Sequence, residues 1–523
     1  MVFSLAVSAQ NTGSTTGSQT DSLYRQAMHF VEQQNFAAAL VLLDQAVEID
    51  RDNPAYWELL LGVHQEMNNL PKASEALTEL IRIRPDERQY YLDQGFLLAY
   101  QEEFDQALEV YDRLGERLGK DEQVYTARAR VFQMMNRTDD ALKELEELVE
   151  KGEGQLIAYV MLSELYSAQE KFPKALETIA EGRSKFGDQP LLHLTHAEVL
   201  RASGRTDEAF TSLSRAFDSH MFDLDYKAGA LYRAAGAMPA YKEEHILALA
   251  DLLVRQYPVS VKSLAVRGDL YSQYGRYEEA EAAYVAALEV DPLVPVIWQQ
   301  LIGLANFMGQ TEDMKHYAEH AVSHFPGDPD LLFFAGHAEL LSGNTEAARS
   351  YMEAALNNTV NQESEFETQI YSSLGGIYND LAMYSASDVA YEEALVRDSM
   401  DVFTLNNYAY YLAERNDKLD RALQMSSLAV ELQPDFATFE DTHAWVLYRL
   451  DRQGEALDWI KRAIGNSEEP SSVLLEHYGD ILYKNGKVRD AVAQWRKARR
   501  IATSADGSIE RLDQKVRTRS LVD

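Results

Sequence analysis

The sequence contains no cysteine. Disulfides, thiolate-held zinc, iron–sulfur clusters and cysteine nucleophiles are therefore excluded. The absence suits a chain exported through an oxidising compartment, although it does not by itself assign one. No run of about 18 apolar residues occurs, so no segment reads as a membrane-spanning helix. The glycine-rich phosphate-binding patterns G-x-x-x-x-G-K-[ST] and G-x-G-x-x-G are missing, and so is a nucleophile elbow. Positive charge is scarce: 49 Lys and Arg stand against 84 Asp and Glu, a net charge of −35. Nucleic acids and anionic membrane surfaces are gripped through clustered positive charge, so this balance argues against both. It suits a solvated acidic exterior, a salt-rich habitat or basic partners.

What is present is apolar material in quantity. Of 523 residues, 46% are hydrophobic, enough for a large core. The clearest stretch runs from Arg267 to Pro292, RGDLYSQYGRYEEAEAAYVAALEVDP. Apolar or small residues recur at steps of three and four, pause at a turn containing Gly275, resume, and stop at Pro292. That pattern predicts a helix, a tight turn and a second helix closed by a proline.

The stretch is repeated along the chain. A small residue of the second helix recurs at Ala39, Ala73, Ala107, Ala141, Ala175 and Ala209, always 34 residues apart. It resumes at Ala280, Met314 and Ala348, then at Ser387, Ala422, Ala456 and Ala491. With one disturbed copy, about fourteen units are expected. Large residues stand near the start of first helices (Trp57, Tyr91, Tyr125, Tyr159, Trp298, Tyr371), followed by small ones such as Gly95, Gly268, Gly336, Gly375 and Gly479. The small residues allow two helices to approach closely, and the large ones fill the space between neighbouring pairs.

These positions resemble the tetratricopeptide repeat (TPR), over residues 22–500. The resemblance implies an all-α, right-handed α-solenoid superhelix of about fourteen helix-turn-helix units, acting as a scaffold or adaptor. The later phrases NNYAYYLAER, DTHAWVLYRL and LLEHYGDILYKNGK look like those of long envelope-associated TPR proteins of Bacteroidota bacteria. The expected organisation is a signal-peptide remnant at 1–9, a Gly/Ser/Thr/Gln-rich flexible linker at 10–21, an N-terminal array at 22–221 and an irregular unit at 222–258. A middle array at 259–360 and a C-terminal array at 361–500 follow, with a capping helix and tail at 501–523, for which Ser508 is the expected N-cap. Residues 1–9 (MVFSLAVSA) are apolar and offer Val7-Ser8-Ala9 as a cleavage site, but carry no basic residue. They read as an export signal whose start lies upstream, giving a periplasmic or exported protein, or as the plain beginning of a cytoplasmic one. The insertions AMPAY (237–241) and NNTVNQESEFE (357–367) read as loops, as bends of the solenoid or as partner contacts.

His316-Tyr317-Ala318-Glu319-His320 matches the H-x-x-E-H zinc motif, and His324 follows one turn later. The motif falls on a second helix, facing away from its partner helix and without a protease-like surround. A surface stripe is the expectation; incidental metal binding and a metal-dependent hydrolase are the alternatives. No catalytic residue, metal ligand or cofactor is assigned.

In TPR arrays the first helices line a concave groove. The family's carboxylate clamp needs Lys, Asn and Arg there, whereas the early repeats present Tyr24, Arg25, Glu58, Glu66, Asp93, Phe96 and Arg130, which do not assemble one. The late repeats present Phe333, Phe334, His337, Asn379, Asn406, Asn407, Tyr410, Asp441, Trp445, Tyr448, Asp480 and Tyr483. Asn side chains can bond an extended peptide backbone and aromatics can anchor it, so these residues are the expected contact surface for protein or peptide partners. Several of the aromatics serve equally well as packing between repeats. A non-enzymatic binding scaffold is the expected function, and a fixed structural subunit of an envelope or secretion assembly is the alternative.

Overall fold

The computed structural model describes residues 15–238, 240–359, 364–503 and 509–522. Among these there are 29 helices and no strand. Contacts divide the chain into two compact units, Met1–Gln256 and Tyr257–Asp523.

The first unit holds seven antiparallel pairs: α1 (Thr15–Glu32) with α2 (Phe36–Ile49), α3 (Pro54–Glu66) with α4 (Leu70–Ile83), α5 (Arg88–Tyr100) with α6 (Phe104–Leu118), α7 (Glu122–Met134) with α8 (Thr138–Glu150), α9 (Leu156–Ala168) with α10 (Phe172–Phe186), α11 (Pro190–Ala202) with α12 (Thr206–Asp218), and α13 (Leu224–Ala235) with α14 (Glu243–Gln256). The second holds seven more: α15 (Val261–Gln273) with α16 (Tyr277–Val290), α17 (Pro295–Phe307) with α18 (Thr311–His324), α19 (Pro329–Leu341) with α20 (Thr345–Asn357), α21 (Ser364–Asp380) with α22 (Tyr384–Arg397), α23 (Val402–Arg415) with α24 (Leu419–Leu432), α25 (Ala437–Arg449) with α26 (Gln453–Asn466), and α27 (Ser472–Lys484) with α28 (Val488–Ile501). A last helix, α29 (Ile509–Thr518), packs on α28.

The register alanines Ala39, Ala73, Ala107, Ala141, Ala175, Ala209, Ala280, Ala348, Ala422, Ala456 and Ala491 are all 0% exposed. Opposite them, a glycine of the first helix makes room for a large side chain of the second in several pairs. A β-carbon placed on Gly268 would lie 2.5 Å from the Tyr284 ring, and one on Gly95 would lie 2.4 Å from Tyr111. Gly479 stands in the same relation to Trp495, at 2.4 Å. These close approaches bury whole rings, and Tyr284 and Trp495 are among the largest fully buried side chains.

The turn inside twelve of the fourteen pairs repeats a single backbone solution. Gln34, Asn68, Glu102, Asn136, Glu170, Gly204, Gly275, Gly309, Gly343, Ala382, Asp451 and Gly486 all adopt a left-handed φ at the equivalent turn position. Asparagine and glycine tolerate this best, which is why the turns read clearly in the sequence. Asn35, Asn53, Asn69, Asp121, Asp328, Asp401 and Ser471 cap the helices that follow them with side-chain oxygens.

Two expectations meet the structure differently. Helix α1 begins at Thr15, so residues 15–21 are helical rather than linker, and Thr20 is 3% exposed. Pairing with α2 overrides the weak helical preference of Ser, Thr and Gly. The polar insertion near 357–367 is partly absorbed by α21, which at 17 residues is longer than the other first helices of the second unit. The irregular unit keeps two helices, yet α13 and α14 form the least tightly packed pair. Residues 1–9 and Ser508 lie outside the described residues.

Gly268→Ala is expected to destabilise the protein by about 1–3 kcal/mol, because the added methyl meets the Tyr284 ring. Gly303→Ala, where nothing lies within 4 Å, is expected to be neutral or to stabilise by up to about 1 kcal/mol. Urea unfolding of both variants checks this; equal midpoints would refute the steric account.

Candidate functional site

In the second unit the first helices α21, α23, α25 and α27 lie side by side. Four of the expected contact residues converge there. Asn406, Asn407 and Tyr410 of α23 and Asp441 of α25 line one cavity of about 360 Å³, together with Thr438, Thr442, Ser467, Glu469, Ser471 and Leu474. Helical spacing accounts for the grouping: Asn406 and Tyr410 are one turn apart, as are Ala437 and Asp441.

Asn406 is 5% exposed. Its Nδ2 donates to Asn407 Oδ1 at 3.1 Å, while its buried Oδ1 has no hydrogen-bond partner. An unmade bond at a buried acceptor costs about 1–3 kcal/mol. Burial, with the charges of Glu414 and Asp441, raises the pKa of Tyr410 and keeps its hydroxyl protonated.

Behind the cavity wall the side chains are bound to one another. Trp445 is 7% exposed. It stacks on His477 at 4.0 Å and on Tyr448 at 4.7 Å, and its Nε1 donates to Glu414 Oε1 at 2.6 Å. His477 Nδ1 lies 3.0 Å from Asp441 Oδ1. Burial disfavours the imidazolium, but the Asp441 carboxylate outweighs it and the pKa of His477 is raised. Burial and then the charge of Asp480 push the Tyr448 hydroxyl up to about 12.

Asp480 does not face an open groove. It is 5% exposed, accepts from Trp495 Nε1 at 2.8 Å, and is gripped by Lys515 Nζ of α29 at 2.7 and 2.8 Å. The same Nζ reaches Glu476 Oε1 at 2.7 Å, and Arg511 forks onto Glu476 at 2.7 and 3.0 Å. Burial raises the pKa of Asp480; in Glu476 it is outweighed by Arg511 and Lys515, and the net shift is downward. A sequence signal for this role existed. Gly268-Asp269 with Tyr284 repeats as Gly479-Asp480 with Trp495, and Tyr284 donates to Asp269 at 2.8 Å just as Trp495 does to Asp480. Tyr483 packs beside Trp495, with ring centroids 5.9 Å apart.

The remaining expected residues lie outside the cavity. Phe333 packs against the core and meets Phe366 edge-on at 5.6 Å and Phe334 at 6.1 Å. Burial lowers the pKa of His337. Asn379 presents a second buried Oδ1 without a partner. Sequence reasoning missed Glu414, Glu476, His477, Arg511 and Lys515, whose contacts join helices of different repeats. In the first unit, Glu58 is committed to Tyr90 at 2.6 Å and Arg84 at 3.0 Å.

The H-x-x-E-H stretch lies on α18. His316 and His320 meet at 4.5 Å, and His320 and His324 stack against Trp298 at 6.4 and 5.9 Å. With Val285, Leu288 and Leu301 they line an apolar cleft of about 290 Å³. Among the described residues no group of three or more His, Asp or Glu side chains is placed to hold a metal ion. No helix among them is long and apolar enough to cross a membrane.

Stacked antiparallel helix pairs of one pattern define a helical-repeat protein, built as an all-α solenoid. Tetratricopeptide-repeat family models match residues 30–93 and 261–292. The chain thus carries tetratricopeptide repeats at those residues, and the same packing positions recur in other pairs. No curated protein matches it in sequence. Similar solved structures include the Cut9–Hcn1 hetero-tetramer of the APC/C, at 13% identity and TM-score 0.39 over 95% of this chain and 97% of that one. A tetratricopeptide repeat protein from Parabacteroides merdae shows 16% identity and TM-score 0.42 over 50% of this chain and 98% of its own. Yeast Tom70 shows 14% identity and TM-score 0.34 over 96% of both chains.

Lys515→Met leaves Glu476 and Asp480 buried without their shared cation and is expected to cost about 3–5 kcal/mol. Arg511→Met, at a half-exposed side chain, is expected to cost about 1 kcal/mol or less. Amide exchange should show α29 losing protection in the first variant and largely keeping it in the second.

Proposed function

We propose that this protein is a non-catalytic interaction scaffold that holds an extended segment of a protein partner against α23, α25 and α27. One observation carries the reading: the buried, unpartnered Oδ1 of Asn406 in the wall of a cavity of about 360 Å³. Exposed Asn407 beside it offers an amide donor for a backbone carbonyl, and Tyr410 offers an aromatic wall that loses little entropy on binding. A photo-crosslinking residue at Asn407 in the full chain is expected to give discrete adducts with a partner in cells of the source organism. The same residue at Asp458, on the exposed face of α26, is expected to give none. Indistinguishable patterns at the two positions would remove the groove reading. A single adduct that persists at high salt in stoichiometric amount would mark a fixed structural subunit, and several exchanging adducts an adaptor.

We further propose that the protein works in a bacterial cell envelope. The support is the apolar stretch 1–9 ending in Val7-Ser8-Ala9 and the absence of cysteine. The N-terminus of the mature protein is expected at Gln10; an intact Met1 would place it in the cytoplasm instead.

A further inference from the structure

We infer that the cavity between α23, α25 and α27 receives a cationic side chain, a lysine ammonium or an arginine guanidinium, carried by the partner segment. This rests on the groove reading above and adds the chemistry of what enters.

The argument is an inventory of donors and acceptors. Asn406 lines the cavity and is 95% buried; one N–H of its Nδ2 is given to Asn407, and its Oδ1 has no donor. A buried acceptor of this kind calls for an N–H or O–H from outside. The charged groups of the wall are carboxylates: Asp441 and Glu469 line it, and no Lys, Arg or His does. Asp441 is bonded through one side to His477 Nδ1, which leaves lone pairs on both oxygens. Glu469 is exposed and has no ion-pair partner among the described residues. Arg511, whose charge acts on Tyr410, is committed to Glu476 through two nitrogens at 2.7 and 3.0 Å.

The remaining wall suits the same guest. Tyr410 supplies an aromatic face, which attracts a cation through its quadrupole. Thr438 and Ser471 add hydroxyls at the rim. At about 360 Å³ the cavity lies at the small end of ligand sites, the size for one long side chain and its flanking backbone. An anionic side chain would meet two carboxylates, and an apolar one would leave the Asn406 oxygen unbonded. The net charge of −35 works in the same direction, drawing basic segments towards the surface.

Fluorescein-labelled Gly/Ser decapeptides with a single central Lys, Arg, norleucine or Glu, titrated against the full-length protein by anisotropy at low salt, test the inference. The Lys or Arg peptide is expected to bind at least about tenfold tighter than the norleucine and Glu peptides. Asn406→Leu, which fills the wall and removes the acceptor, is expected to abolish that preference. Glu469→Gln, at an exposed position remote from the core, is expected to weaken it several-fold with an unchanged melting temperature. Equal binding of all four peptides, no cation-dependent binding up to about 1 mM, or a preference that survives both substitutions would overturn the assignment. Spermidine is the control for a free polyamine; binding as tight as the Lys peptide would overturn the peptide source. Crosslinking at Asn407 separates the two levels. Adducts there that are insensitive to Asn406→Leu and Glu469→Gln would retain the groove and reject the cation.

Discussion

Everything in this fold depends on how closely the two helices of a pair can approach. Gly95, Gly268, Gly375 and Gly479 lack side chains where Tyr111, Tyr284, Tyr391 and Trp495 cross. The ring takes the vacated space and is buried whole, and the alanine on the opposing helix is sealed at 0% exposure. That contact is local in sequence, and it recurs in pair after pair. Stability in such an array comes from repeating it and from the interfaces between neighbours, so no distant part of the chain is needed to form it. The left-handed turn residue between the helices is the second fixed element, since it sets the angle at which the two helices return towards each other.

The second unit adds longer links on top of this local unit. Asp441 reaches His477, Glu414 reaches Trp445, and Lys515 reaches both Glu476 and Asp480. Each joins a first helix to the next first helix, or to α29. The buried carboxylates of the last pair therefore need α29 for their charge balance, which ties the terminal helix to the array by electrostatics as well as by Leu512, 0% exposed, in the core. A buried ion pair of this kind contributes more to fixing which helix docks where than to net stability. Within this bonded framework the Oδ1 atoms of Asn406 and Asn379 are among the buried groups whose requirement is left open.

The grouping of residues around the cavity was legible in part. Asn406, Asn407, Tyr410 and Asp441 could be placed on one surface because repeat register assigns helix faces to within about one residue. Trp445 and Asp480 could not be sorted by the same means, since register says which way a side chain points and not what meets it. Trp445 meets His477 and Tyr448; Asp480 meets Trp495 and Lys515. Phe333 resolves in the same way, into packing against Phe366.

By itself the sequence determined the repeat: its period, its helices, its turns and the small-against-large pairing inside each unit. Those are short-range consequences of residue size and backbone preference, so they are written into every copy. Only the tertiary structure decided which polar groups satisfy one another and which remain open. Such bonds join side chains 31 to 39 residues apart, as Glu414 to Trp445 and Glu476 to Lys515 show. Whether a buried oxygen finds a donor depends on distances of a few tenths of an ångström between neighbouring helices, a quantity that no periodicity encodes.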